Sequence, residues 1–165
     1  MPGIAKPIPE GYHTLTPQIV VRDAARAIEF YKSAFGAELL NAAPDGPGGK
    51  ITHASMKIGD SILMLTDEFP EWGCLGPQSI GGSPVTLHIY VEDVDALFDR
   101  AVAAGAKVTM PLQDQFWGDR YGQLADPFGH RWSLATHKEE LTREEVAKRS
   151  EAIFSKMSKE AGHSS

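Results

Sequence analysis

Thr86, His88 and Tyr90 alternate with Leu87, Ile89 and Val91. On a strand, whose side chains point to opposite faces in turn, a hydroxyl, an imidazole and a phenol then share one face, with aliphatic groups behind them. An imidazole so placed can act as a general base, a hydrogen-bonding pocket residue or a metal ligand. The division recurs elsewhere: Thr16, Gln18 and Val20 against Pro17, Ile19 and Val21; His53 and Ser55 against Ala54, Met56 and Ile58; Arg131, Ser133 and Ala135 against Trp132 and Leu134. A plain solvent face would favour Lys, Glu and Thr, whereas His, Gln, Thr, Ser and Tyr with little full charge suit a semi-enclosed cleft with a few convergent polar groups. The alternative is an ordinary solvent face with scattered polar residues.

A second concentration of chemistry lies in Gln115–Gly122, where Phe116, Trp117, Arg120 and Tyr121 crowd between glycines ahead of a strand. Trp117 and Tyr121 can stack on a planar ligand and Arg120 can fork onto a carboxylate or phosphate. Alternatively, Trp117 covers the end of a sheet while Asp119 and Arg120 pair across a turn. No Ser-His-Asp order, phosphate-binding loop or dinucleotide-binding glycine pattern is present.

The whole chain narrows the choice of partners. With 165 residues and 42% apolar content it is expected to form one compact domain. Its net charge of −6 and pI near 5.5 offer no basic field for nucleic acid. Cys74 is the single cysteine, which excludes an intrachain disulfide or a cysteine-rich zinc site and fits a reducing compartment. No apolar run approaches the roughly 18–20 residues that span a bilayer, and Met1–Gly11 lacks a signal-peptide stretch, so the expected location is the cytoplasm, away from membranes.

The elements that must position these residues come as an internal repeat. Ile19–Asp23, an apolar set at helical spacing (Ala24, Ala27, Ile28, Tyr31, Phe35) and Gly36-Ala37 recur as Ile89–Asp93, Val94, Leu97, Phe98, Ala101, Val102 and Gly105-Ala106, at an offset of 70 slipping to 69. Each strand ends at an Asp suited to cap a helix, and each helix stops at a glycine suited to the left-handed C-terminal position. Strands are expected at about 37–40, 51–58 and 61–66, with Asn41–Gly49 as a loop and Gly59-Asp60 as a hairpin turn. Their counterparts are about 107–110, 121–125 and 130–136, with the Asp126–Gly129 turn. The unit is βαβββ, twice: modules at about 14–67 and 84–137, joined by a Gly/Pro-rich linker at 68–83, within a domain spanning 1–137.

The segment 138–165 reads as a helical extension. Thr142-Arg143-Glu144-Glu145 has the capping-box form, and Val146, Ser150, Ile153, Phe154, Met157 and Ala161 then share one face. That stripe is expected to bury on its own sheet or on a second subunit.

The tandem βαβββ pattern, Glu29-Phe30-Tyr31 before Phe35-Gly36-Ala37, and the run Trp117–Trp132 together resemble the vicinal oxygen chelate superfamily of glyoxalase I, extradiol dioxygenases, methylmalonyl-CoA epimerase and the bleomycin and fosfomycin resistance proteins. More narrowly they are similar to its PhnB-like branch. The resemblance covers about residues 14–137 and implies an α+β fold whose curved mixed sheet surrounds a cleft, with homodimerisation common among members. It also implies a divalent metal held from the first and last strands of each module. The matching positions are Thr16, Met64 (or Leu63 if the hairpin shifts by one), Thr86 and Ser133, none of them a His, Asp or Glu. The expectation is therefore a small-molecule cleft without cofactor, lined by Gln18, His53, Thr86, Tyr90, Trp117, Arg120, Tyr121 and Ser133. The alternative is a lyase or isomerase acting on a small carbonyl compound, either with His88 as base and Gln18 and Thr86 fixing a carbonyl or enolate, or with a displaced metal site joining His88 to His53 or Gln18.

Overall fold

A computed structural model describes residues 2–43 and 46–163. The first half runs β1 (Gln18–Val21), α1 (Ala24–Phe35), β2 (Glu38–Ala43), β3 (His53–Ile58) and β4 (Ser61–Asp67). A short helix α2 (Pro77–Ile80) follows, then β5 (Thr86–Tyr90), α3 (Val94–Ala104), β6 (Lys107–Asp114), β7 (Asp119–Ala125), β8 (Arg131–His137) and α4 (Arg143–Ala161). The result is an α+β fold of two four-stranded mixed sheets, ordered β1-β4-β3-β2 and β5-β8-β7-β6. In each, the first strand pairs parallel to the last and the other pairs are antiparallel. Two strands outrun their expected ends: β2 continues to Ala43 and β6 to Asp114. Both carry register shifts against their partners, so the extra length comes with bulges that blur the alternation in the sequence. Of the expected loop Asn41–Gly49, residues 44 and 45 lie outside the described residues. The linker 68–83 is more ordered than its Gly/Pro content suggests, holding a 3₁₀ turn at Pro70–Trp72 as well as α2.

The repeat is visible in the caps. Asp23 accepts the amide of Arg26 and Asp93 that of Ala96, and Gly36 and Gly105 take the left-handed conformation that ends each helix. A second capping group reaches across from the last strand of each module: Asp67 accepts the amide of Ala24 at 2.8 Å and the Thr136 hydroxyl that of Val94 at 2.9 Å. Every helix start has donors without intrahelical partners, and here strand and side-chain cap share them.

The two helices pack on each other, and Arg100 of α3 donates to the Ser33 and Lys32 carbonyls at the C-terminus of α1. Helix α1 is buried on a wide arc because it also touches the second sheet, where Tyr31 and Phe35 meet Trp132 at 5.5 and 4.6 Å and Phe30 meets Phe128 at 6.1 Å. Asp126 closes this joint. Its carboxylate accepts Tyr31 OH, Trp132 Nε1 and the amides of Phe128 and His130. Burial and the neighbouring Asp126 charge push the Tyr31 phenol pKa well above its usual value. Gly122 belongs to the helix side of β7, where a Cβ would come within 2.7 Å of the Phe98 ring; α3 sits this close because the position has no side chain.

With the helices on one side, the opposite faces of both sheets are left to the polar residues. Helix α4 forms with its capping box intact. Its apolar stripe, however, does not bury on its own sheet: Ile153, Phe154 and Met157 are 40%, 57% and 58% exposed. The helix is attached by Arg149 to Glu139 at 2.7 Å and by the Phe154 ring against Phe116.

Candidate functional site

The register of the second sheet sets its polar face out as a grid. Thr86 lies beside Arg131 and Arg131 beside Ala125; in the next row stand His88, Ser133 and Gln123, then Tyr90, Ala135 and Tyr121, and last His137 with Asp119. Rows are about 7 Å apart and strands about 4.8 Å. Trp132, Leu134 and Leu124 project the other way into the core.

At the centre, His88 Nδ1 lies 2.6 Å from the Ser133 hydroxyl, which is almost fully buried. The imidazole meets Tyr90 edge-on at 4.4 Å and lies nearly parallel to Tyr121 at 5.9 Å. Desolvation by these neighbours lowers its pKa, opposed by the charge of Asp119. The ring is therefore neutral at pH 7, and the tautomer it adopts decides what Nε2 offers. If Nδ1–H donates to Ser133, Nε2 presents a lone pair; if the hydroxyl donates, Nε2 presents a proton. Gln123 donates to the Tyr121 hydroxyl at 2.9 Å, fixing the second phenol.

Asp119 anchors the far end. Only 4% exposed, it accepts Tyr90 OH and Trp117 Nε1, both at 3.0 Å, and faces His137 Nδ1 at 2.7 Å. Burial works to raise its pKa, but the hydrogen bonds from His137, Tyr90 and Trp117 outweigh it and the net shift is downward. The same bonds move the partners: the hydrogen bond to Asp119, then that to Glu140, raises His137, and Asp119 raises Tyr90. The carboxylate thus holds two aromatic side chains upright, and Trp117 in turn meets Tyr121 edge-on at 5.4 Å.

A cleft of about 740 Å³ runs along the outer edge of β5. Thr86, His88 and Tyr90 form its polar wall, Leu87, Ile89, Phe35 and Trp132 its apolar one, and Thr16, Pro17 and the Gly59–Leu63 hairpin close it from the first module.

Of the residues singled out by sequence, Thr86, His88, Tyr90, Trp117, Tyr121 and Ser133 come together on this one face. His53 and Gln18 do not join them. His53 sits on the first sheet, where its Nε2 lies 3.1 Å from the Ser55 hydroxyl, itself bonded to Tyr12 OH. Gln18 borders a separate hollow of about 310 Å³ between β1 and α2. Arg120 is a correction. One residue along the strand from Asp119, it points to the helix side, where Asp95 holds it through two nitrogens at 2.8 Å and Asp114 at 3.4 Å. It therefore pairs with neither a ligand on the polar face nor Asp119. Asp119, Gln123 and His137 were missed, although alternation from Tyr121 and Ser133 would have placed all three on this face.

The metal positions implied by the resemblance do not make a binding set. Thr16 precedes β1 and donates to the His13 carbonyl; Met64 lies beside Gln18 and Ser55 on the first sheet; Leu63 is buried on the helix side; Thr86 and Ser133 are on the second sheet. Hydroxyls and a thioether are poor donors for a divalent ion, and among the described residues no three His, Cys, Asp or Glu side chains gather as a ligand group. The displaced site joining His88 to His53 or Gln18 likewise has no such cluster.

A sequence model of the Glyoxalase/Bleomycin resistance protein/Dioxygenase superfamily matches residues 12–134, spanning both modules. The chain belongs to this superfamily. An uncharacterised protein of Mycobacterium tuberculosis (strain H37Rv) is 51% identical over 136 residues, covering 80% of this chain and 79% of that protein. TioX from Micromonospora sp. ML1 shares the fold with a TM-score of 0.61 and 31% identity, over 76% of this chain and 98% of TioX. The PhnB protein from Bacillus cereus matches in fold at a TM-score of 0.60 and 22% identity, over 75% and 99% of the two chains. Among the described residues, no helix of this superfamily member is long and apolar enough to cross a membrane.

Proposed function

We propose that the protein binds a small planar molecule on the polar face of its second sheet, at the mouth of the β5 cleft, without a metal ion. The observation that carries this reading is the His88–Ser133 pair set among Tyr90, Trp117 and Tyr121, whose rings Asp119 and Gln123 hold in place. Rings already fixed by hydrogen bonds lose little freedom when a ligand stacks on them, and flanking hydroxyls and amides supply orientation. A second copy of the chain would complete the enclosure, since β6, on the side away from β5, is exposed along most of its length; homodimerisation is part of the proposal.

A second reading, lyase or isomerase chemistry on a small carbonyl compound, draws on His88 itself. Its lowered pKa keeps it unprotonated at neutral pH, and Ser133 occupies Nδ1 while Nε2 is left for substrate. Gln18 borders a different hollow, so this reading rests on His88 and Thr86.

The test is a titration of small aromatic compounds in chelator-treated buffer, followed by amide chemical shifts. Saturable shifts at Ser133 and Gln123 are expected, and Trp117→Ala should weaken binding by about 1–3 kcal/mol if the ring stacks on the ligand. Binding that appears only after a divalent metal is added would contradict the proposal. For the second reading, turnover should collapse in His88→Ala with the fold intact, and retained turnover would remove His88 from the mechanism.

A further inference from the structure

We infer that the planar ligand is an anion, bearing a carboxylate or a similar acidic group that Arg131 receives at one end of the aromatic wall; this deepens the binding proposal and rests on it. The polar face is asymmetric in charge. At one end Asp119 is already matched by His137, Tyr90 and Trp117. At the other, Arg131 lies on the same face as Ser133 and beside Thr86, and across Ala125 from it lies Lys107 at the start of β6. Both cations are exposed, and among the described residues no carboxylate comes within ion-pair distance of either. Asp126, near this end in sequence, is committed elsewhere: it points into the core, where four donors satisfy it.

The spacing suits one small ligand. Arg131 and Lys107 are two strands apart, about 10 Å between backbones, and the residue between them, Ala125, is short enough for both long side chains to lean over it. The His88–Ser133 row is about 7 Å from Arg131 and the Tyr90–Tyr121 row about 14 Å. A fused two-ring system lying over the His88 row, with its acid group toward Arg131, spans that distance. A guanidinium can grip a carboxylate through two parallel N–H···O bonds, and a charge-assisted pair beside an aromatic wall discriminates strongly against a neutral isostere. In a chain of net charge −6, two cations with no ion-pair partner among the described residues, on a face whose Asp119 is already matched by His137, also form a local attraction for anions.

The experiment uses a matched probe pair, 2-naphthoate and 2-naphthamide, titrated to millimolar concentration against the full-length protein and read by amide shifts at Ser133, Gln123 and Ala125. Wild type should bind the naphthoate at least about tenfold more tightly than the amide, a preference that shrinks as salt is raised. Arg131→Gln should reduce naphthoate binding to the level of the amide while leaving the amide unchanged, which also shows that the variant is folded. Lys107→Gln should give a smaller loss. Equal binding of the two probes to wild type, or a preference that survives Arg131→Gln, overturns the anion assignment and leaves the binding site standing. Failure of both probes to shift this face overturns the binding proposal and the inference with it.

Discussion

Asp126→Ala should be among the most damaging single substitutions in the chain outside the apolar core. Its carboxylate accepts Tyr31 OH at 2.5 Å and Trp132 Nε1 at 2.8 Å through one oxygen, and the Phe128 and His130 amides, both at 2.9 Å, through the other. The two turn amides are buried with the carboxylate, so their loss adds to the cost of the side-chain donors. Those donors, Tyr31 and Trp132, are 0% and 3% exposed and out of reach of water. A buried donor left without an acceptor costs about 1–3 kcal/mol, so two of them cost about 2–6 kcal/mol, a large part of the roughly 5–15 kcal/mol that stabilises a typical domain. Tyr31→Phe removes one donor and leaves the carboxylate with three, so its cost should be smaller, about 1–2 kcal/mol. Because Tyr31 comes from α1 and Asp126 from the turn before β8, the two changes should be strongly non-additive, with the double variant little worse than Asp126→Ala. Urea unfolding followed by tryptophan fluorescence measures all three variants. A loss below about 1 kcal/mol for Asp126→Ala, or strict additivity, would refute the reasoning that this carboxylate joins the two halves.

Other outcomes follow from the same structure. The Asp119–His137 pair makes stability depend on pH at both ends. His137 has a raised folded pKa, so its contribution is complete below about pH 6.5 and is lost as pH rises through that folded value. Asp119 has a lowered one, so its contribution is present above about pH 4 and is lost as pH falls through its folded value. The stability difference between wild type and His137→Ala should therefore shrink from pH 6 toward pH 9; a constant difference would show that the pair is not charged. Removal of residues 143–165 should lower the thermal midpoint by less than about 3 °C, because α4 buries no side chain. A large drop, measured by calorimetry, would show that the Ile153, Phe154 and Met157 stripe is covered in solution. Ser133→Ala should release the His88 ring from its hydroxyl partner, and the ring-nitrogen chemical shifts that report which nitrogen carries the proton should then change; unchanged shifts would mean that the 2.6 Å contact does not form.

Much of this fold is legible in the sequence because its signals are local. Asp23 and Asp93, Gly36 and Gly105, and the apolar spacings between them specify two helices in matching places, and alternation sorts each strand into a core face and a polar face. Alternation also puts Thr86, His88 and Tyr90 on the polar side of β5 and Ser133 on that of β8 before any register is available. What failed was long-range or depended on one step of parity. Arg120 looked free to meet a ligand because its partner Asp95 lies 25 residues away on α3. Asp119 looked like a turn partner of Arg120, yet consecutive strand residues face opposite ways, and that turn of one position makes Asp119 the anchor of the aromatic wall. His53 and Gln18 carried the right residue types on the right face of the wrong sheet, and only the arrangement of the two modules separates them from His88. The stripe on α4 was readable as amphipathic, while where it docks is a tertiary property that periodicity does not encode.

The central claim is that this member of the superfamily presents a small-molecule site without the metal that the family resemblance would suggest. Native mass spectrometry of freshly purified protein, recorded before any chelator or metal is added, tests it most directly. The expected spectrum is a dimer of 17.9 kDa chains, bare or carrying an organic adduct, with no stoichiometric divalent ion. One divalent metal per chain, lost in parallel with ligand binding on chelation, would contradict it.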